Sequence, residues 1–177
     1  MTGSPDLPIR SRLLAGAIAG FAATVAMTAA MNRLYRRLPP SEHYPLPPRE
    51  ITEQLLPLQG RDDAVKDASL AAHHFYGAAS GALIAAVAPT ITPTRGAAAG
   101  VAVWAASYFG WLPAADILRG AHHHPARRNG LMIAAHLVWG AFTALSIHEL
   151  IDARRSTLRA GPLKDAEASD LMESEDE

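Results

Sequence analysis

Two histidines interrupt long apolar stretches of this sequence at positions where an imidazole could do chemistry. His73 lies four residues before Gly77, and His136 lies four residues before Gly140. Residues four apart share one face of a helix, so each histidine belongs to a face that otherwise carries small side chains. Imidazole binds metals, carries protons and forms hydrogen bonds. The candidate polar site predicted here consists of His73, His74, Asp116, His136, Thr28 and Asn32.

Four kinds of chemistry fit such a site: a metal centre, a haem held by two histidines, a proton-handling site, or a hydrogen-bonded network without a cofactor. The candidate metal ligands are His73, His136 and Asp116. The spacing favours the network, because adjacent His73 and His74 point about 100° apart on a helix and no predicted helix carries two histidines four residues apart. No cofactor is therefore predicted, and a haem or a divalent metal is the alternative.

The elements that must position these side chains follow from the charge pattern. Residues 13–32, 68–94, 96–115 and 129–148 contain no Asp, Glu, Lys or Arg. Each stretch is about as long as the roughly 20 residues that a helix needs to cross a bilayer. Backbone amides in lipid must bond internally, so these stretches are predicted to be helical. The sequence predicts an all-α fold, a bundle of four transmembrane helices at about 13–34, 68–89, 96–118 and 130–151.

The predicted organisation is one membrane domain with two tails. Residues 1–12 form an N-terminal tail, residues 13–152 the four-helix domain, and residues 153–177 an acidic C-terminal tail that is expected to be disordered. An even number of crossings puts both termini on one side. A long proline-rich connector then joins helices 1 and 2 on the other side. In an alternative interpretation, helix 1 is a cleaved signal peptide, which would leave three crossings.

Small residues recur at helical spacing along the predicted helices. Lipid tails are as apolar as leucine, so membrane helices associate through close backbone approach over such residues. The predicted helix-packing positions are Gly16, Gly20, Gly77, Gly81, Gly96, Gly100 and Gly140. Helices 2 and 4 run in the same direction and carry their histidines one turn inside the membrane. The candidate polar groups are therefore expected to gather at the end of the bundle that carries the connector.

Composition excludes several classes of function. The net charge of −1 lacks the basic excess of a nucleic-acid-binding domain, so no nucleic-acid partner is predicted. The chain has no cysteine, which excludes disulfides and thiolate chemistry. A phosphate-binding loop, a nucleophile elbow and paired carboxylates are all missing from the sequence, so no catalytic residue is predicted and an enzyme is not indicated.

Five segments carry a resemblance to a known family. They are 16–28 (GAIAGFAATVAMT), 45–52 (PLPPREIT), 76–81 (YGAASG), 104–113 (WAASYFGWLP) and 136–140 (HLVWG). The chain resembles the YagU-like family of small uncharacterised bacterial inner-membrane proteins. The resemblance implies a four-helix, multi-pass protein of the bacterial inner membrane with an envelope or stress-related role, and it implies no catalytic residues.

The predicted function is that of a non-enzymatic polytopic membrane protein. Its expected partners are the lipid bilayer and either a second copy of the chain or another membrane protein. The alternative is a membrane metal- or haem-binding protein whose buried histidines serve electron, ion or proton transfer.

Overall fold

The structure, a computed structural model, describes residues 7–58 and 60–160. Its helices are α1 (Ile9–Tyr35), α2 (Pro47–Leu55), α3 (Asp62–Val87), α4 (Pro93–Ala106), α5 (Leu112–Ala114) and α6 (Ala126–Arg155). A π-helical segment (Ser107–Trp111) joins α4 to α5, and 3₁₀ turns occupy Pro40–Glu42 and Ala121–His123. The described ranges contain no strand. The prediction of an all-α bundle is confirmed.

Three of the helices in the described ranges are long and apolar enough to cross a membrane, namely α1, α3 and α6. The third predicted helix, 96–118, is instead divided into segments that are each shorter than a membrane span. The backbone is helical from Pro93 to Ala114, but the π-helical segment interrupts it and Gly110 has φ −109° and ψ −107°. The described chain is therefore a multi-pass membrane protein by the length and composition of three candidate spans.

Helix ends differ from the predicted ones because charged residues at a membrane border do not stop a helix. Helix α3 begins at Asp62 rather than at 68, and its first turn carries Asp62 and Asp63, whose charge suits a helix N-terminus. Helix α1 begins at Ile9, inside the predicted tail, and α6 continues to Arg155. The predicted disordered tail from 161 onward and residues 1–6 lie outside the described residues.

Helices α1 and α3 meet through their glycines. A Cβ atom added at Gly20 would lie 3.0 Å from the Gly77 carbonyl carbon and 3.0 Å from Gly81 Cα. A Cβ atom at Gly81 would lie 2.8 Å from Gly20 Cα. The two backbones are therefore in direct contact, and hydrogen is the largest side chain that fits between them.

Helices α4 and α6 repeat this contact in the same register. A Cβ atom added at Gly140 would lie 2.8 Å from the Gly96 carbonyl carbon and 2.9 Å from Gly100 N. A Cβ atom at Gly16 would come 2.5 Å from Ala85 Cβ, and one at Gly96 would come 2.5 Å from Ala144 Cβ. Gly96 and Ala144 in the second pair thus occupy the places of Gly16 and Ala85 in the first.

The sequences of α3 and α6, the second helix of each pair, agree with this equivalence. Residues 81–85 read GALIA and residues 140–144 read GAFTA. The chain therefore contains two related helix pairs, α1 with α3 and α4 with α6, joined by contact between α1 and α6.

Substitution of Gly20 by Ala is expected to lower the free energy of unfolding by about 1–3 kcal/mol, because the added methyl group meets backbone that cannot move aside. Thermal unfolding of the purified protein in detergent, followed by circular dichroism, measures the effect. Gly130→Ala is the control, since a Cβ atom there meets nothing within 4 Å. Equal stability of the two variants would contradict the close contact.

Candidate functional site

A cavity of about 210 Å³ lies between the two helix pairs. Helices α1, α3, α4 and α6 supply most of its walls, and α2 contributes Pro47, Pro48 and Ile51. The remaining walls are mainly aromatic and aliphatic. Its tyrosine and tryptophan side chains are Tyr76, Trp104, Tyr108, Trp111 and Trp139.

The two helix pairs differ in side-chain volume at one of the equivalent positions beside the cavity. Trp139 precedes Gly140 and fills the space between α6 and α1, where its indole N–H donates to the Gly20 carbonyl at 3.1 Å. Ser80 precedes Gly81 at the equivalent place in the first pair. The small side chain of Ser80 leaves the corresponding space between α3 and α4 unfilled, and both residues line the resulting cavity.

Two of the predicted site histidines line this cavity. His136 is 8% exposed, and its Nδ1–H donates to the Met132 carbonyl at 2.8 Å. The bond to a carbonyl fixes the proton on Nδ1 and leaves a lone pair on Nε2 of the neutral ring. His73 Nε2 is buried and has no hydrogen-bond partner among the described residues. The structure thus brings His73 and His136 to one cavity from two different helices.

Trp104 adds a third ring nitrogen at the cavity. This residue is 7% exposed, and its indole N–H has no acceptor in the part of the chain that the structure describes. Sequence reasoning missed Trp104 as a polar group because tryptophan is usually an interface anchor or packing residue in membrane proteins. Its only signal was its place four residues after Gly100, on the packing face of α4.

A hydrogen bond crosses the cavity wall between α3 and the helical run that follows α4. The Ser107 hydroxyl donates to the Val103 carbonyl at 2.9 Å, so the Tyr76 hydroxyl, 2.8 Å away, is the donor to Ser107 Oγ. Apart from this bond, α3 and α4 do not pack closely along their described lengths. Tyr76 and Trp111 line the cavity and are also 40% and 42% exposed. The gap between α3 and α4 is therefore a cleft that opens on the outer surface of the bundle.

The other predicted site residues lie elsewhere. His74 packs against the ring of Phe21, with 4.9 Å between ring centroids, and its Nδ1–H donates to the Leu70 carbonyl. The Thr28 hydroxyl donates to the Thr24 carbonyl at 2.8 Å, and Asn32 is exposed.

Asp116 lines a separate surface groove together with His122 and His123. It is exposed and has a φ of 55°, a left-handed conformation that aspartate tolerates better than most residues. Among residues 7–58 and 60–160, no three His, Asp or Glu side chains come together in a way that could hold a metal ion.

Sequence reasoning also missed Arg128, which is 4% exposed. Its guanidinium donates to the carbonyls of Glu42 (3.0 Å), Tyr44 (3.0 Å) and Pro45 (2.7 Å). It also stacks on the Tyr44 ring, with 3.4 Å between Cζ and the ring centroid. The connector is therefore bound to the start of α6. Nothing in the sequence distinguishes buried Arg128 from its exposed neighbour Arg127.

His124 joins the same attachment. Its Nε2–H donates to the Arg119 carbonyl at 3.3 Å, so Nδ1 accepts from the Tyr44 hydroxyl at 3.3 Å. Burial lowers the pKa of His124, and the positive charge of Arg128 adds to this effect against the Arg119 hydrogen bond. Burial also raises the pKa of the Tyr44 phenol. Both groups are thus held in their neutral forms.

Comparison of the chain with protein-family models, curated proteins and solved structures gives no match.

Replacing Arg128 by Met is expected to loosen the connector, because three backbone carbonyls lose their donor. Trypsin should then cleave after Arg37 and Arg49 at least about tenfold faster, since roughly 1.4 kcal/mol of lost local stability raises the open population tenfold. Time courses in detergent, read by mass spectrometry, measure the rates. Arg127→Met is the matched control, and similar rates in both variants would contradict the attachment.

Acidification is expected to weaken the same attachment. The pKa of His124 in the folded protein lies below its ordinary value of 6.5. The neutral form of His124 therefore contributes stability above about pH 6.5, and this contribution is lost as the pH falls from there through the folded-state pKa. The melting temperature of the wild type should therefore exceed that of His124→Asn at pH 7.5 by more than at pH 5.5. For His123→Asn, at an exposed neighbouring position, the difference in melting temperature from the wild type should not become smaller at pH 5.5. A pH-independent difference for His124→Asn would contradict the prediction.

Proposed function

We propose that the protein is a non-enzymatic, multi-pass protein of the bacterial inner membrane that crosses the bilayer four times and binds a small, mainly apolar molecule between α3 and α4. The observation that carries the proposal is the cavity, which lies beside a cleft open to the bundle's outer surface. A pocket lined mostly by apolar and aromatic groups with a few polar atoms is typical of a ligand site.

The fourth crossing is supported by the contacts of α4. The helical run from Pro93 to Ala114 lies against α6, one of the three long apolar helices, through Gly96 and Gly100. Arg95 is its only charged residue, and Phe109 is 60% exposed. A run of this length spans about 30 Å, and its apolar exposed side chains suit a lipid environment.

Binding without catalysis is supported by the lining of the cavity. Among the described residues, no Asp, Glu, Lys or Arg lines it, so its two histidines have no carboxylate or charged side chain in the lining to act with them in an acid–base step. The bacterial inner membrane as the location, and an envelope or stress-related role, rest on the resemblance to YagU-like proteins.

Four crossings predict the side of each connector. The chain has no cysteine, so single cysteines at His43, Thr90, His122 and Ser156 can each be labelled without background. In intact cells, a membrane-impermeant maleimide should label positions 43 and 122 alike, and positions 90 and 156 alike but oppositely to the first two. Inverted membrane vesicles should reverse the pattern.

The same experiment identifies a three-crossing protein. If residues 93–114 stayed on one side of the membrane, positions 90 and 122 would be labelled together, and the fourth crossing would be wrong. A permeant maleimide labels every variant after solubilisation and controls for buried cysteines.

A further inference from the structure

We propose that the cavity between α3 and α4 binds a neutral, lipid-soluble ring that carries carbonyl or hydroxyl groups, the chemistry of a quinone or quinol headgroup. The proposal rests on the proposed function, since it names the ligand class of the same cavity. Three properties of the cavity determine the choice: its missing charge, its unpaired ring nitrogens and its aromatic walls.

The missing charge selects a neutral ligand. An ion moved from water into an apolar site without a counter-charge loses far more free energy than the site can return. The described lining contains no Asp, Glu, Lys or Arg. Both lining histidines are expected to be neutral in such surroundings, because burial disfavours the charged imidazole.

The unpaired ring nitrogens select an oxygen-bearing ligand. Within the described parts of the chain, Trp104 Nε1–H is a donor without an acceptor, and His73 Nε2 is a buried nitrogen without a partner. His136 Nε2 offers a lone pair, because Nδ1 carries the proton. A hydrocarbon would leave all three unsatisfied at a cost in free energy. A carbonyl oxygen accepts from the indole, and a hydroxyl group can also donate to an imidazole.

The aromatic walls and the cleft favour a ring that arrives from the bilayer. Aromatic rings stack favourably on planar ligands. Tyr76 and Trp111 stand at the cleft with 6.2 Å between their ring centroids, and both are partly exposed on the outer surface. A lipid-soluble molecule that arrives from the bilayer would meet these two side chains first, without passing through water.

Intrinsic fluorescence can test this directly, because all three tryptophans of the chain line the cavity. The full-length protein in detergent is titrated with duroquinone, a tetramethylated benzoquinone that quenches indole fluorescence. We expect saturable quenching. Ser80→Phe fills the cavity and should raise the half-quenching concentration at least about tenfold. Ala79→Phe adds the same group at the next, exposed position and should leave it unchanged.

Two further arms test the ligand class. Durene is the same methylated ring without oxygen, so it satisfies none of the ring nitrogens. Its dissociation constant, measured by displacement of duroquinone, should be at least about tenfold higher than that of duroquinone. Trp104→Phe and His73→Leu should weaken duroquinone binding about threefold to tenfold. His74→Leu is the matched control, because His74 contacts Phe21 and is not part of the lining.

Each contrary result has a distinct meaning. Unchanged quenching in a folded Ser80→Phe variant would place the quenching outside the cavity and overturn the proposed function as well. Equal competition by durene, with Trp104→Phe and His73→Leu unaffected, would overturn the ligand class and leave the binding function standing. Stoichiometric haem or metal in the purified protein, lost in His73→Leu and His136→Leu, would assign the imidazoles to a metal and overturn the quinone proposal. The durene arm uses the wild type alone, so it decides even if a variant fails to fold.

Discussion

Backbone contact across glycine faces is the interaction on which the rest of this structure depends. Water drives the association of helices in soluble proteins, but a bilayer supplies no such force, so close van der Waals approach has to hold the helices together. Gly20 meets Gly77 and Gly81, and Gly100 meets His136 and Gly140. These two contacts fix α3 on α1 and α4 on α6. The depth and direction of the side chains that these four helices present to the cavity follow from them.

The same contacts explain why the centre of the bundle is not filled. The glycine contacts fix the two helices within each pair. They do not fix how one pair packs against the other. On one side Trp139 fills the gap and its indole N–H reaches the Gly20 carbonyl. On the other side Ser80 cannot fill the equivalent space, and α3 and α4 remain apart. The difference in side-chain volume between Trp139 and Ser80 therefore contributes to the contrast between a packed interface and a cavity.

Much of the fold could be predicted from local pattern, whereas most of the site could not. Charge-free stretches and glycine spacing are properties of single helices, so they predicted the all-α bundle. The interruption of the helix at Gly110 could not be predicted from the sequence, because glycine is common within membrane helices. His73 and His136 were expected at similar depth from helix direction and spacing. Asp116 could not be placed, because a left-handed turn after α5 carries it to a separate groove. The roles of Arg128 and Trp104 depend on which groups their side chains meet in the described fold. The residue type alone does not predict those groups.

The attachment of the connector by Arg128 has a consequence for the order in which the protein is made. The carbonyls that this guanidinium binds lie 83–86 residues earlier in the chain. A chain that emerges from the ribosome from its N-terminus exposes the connector, and α2 above the unfinished cavity, long before the start of α6 has been synthesised. The contacts between Arg128 and the connector therefore form only in a late step of assembly, whereas α2 can already pack against α3. Until then the ring nitrogens of His73 and Trp104 face an incomplete bundle, which is the stage at which water and lipid reach them most easily.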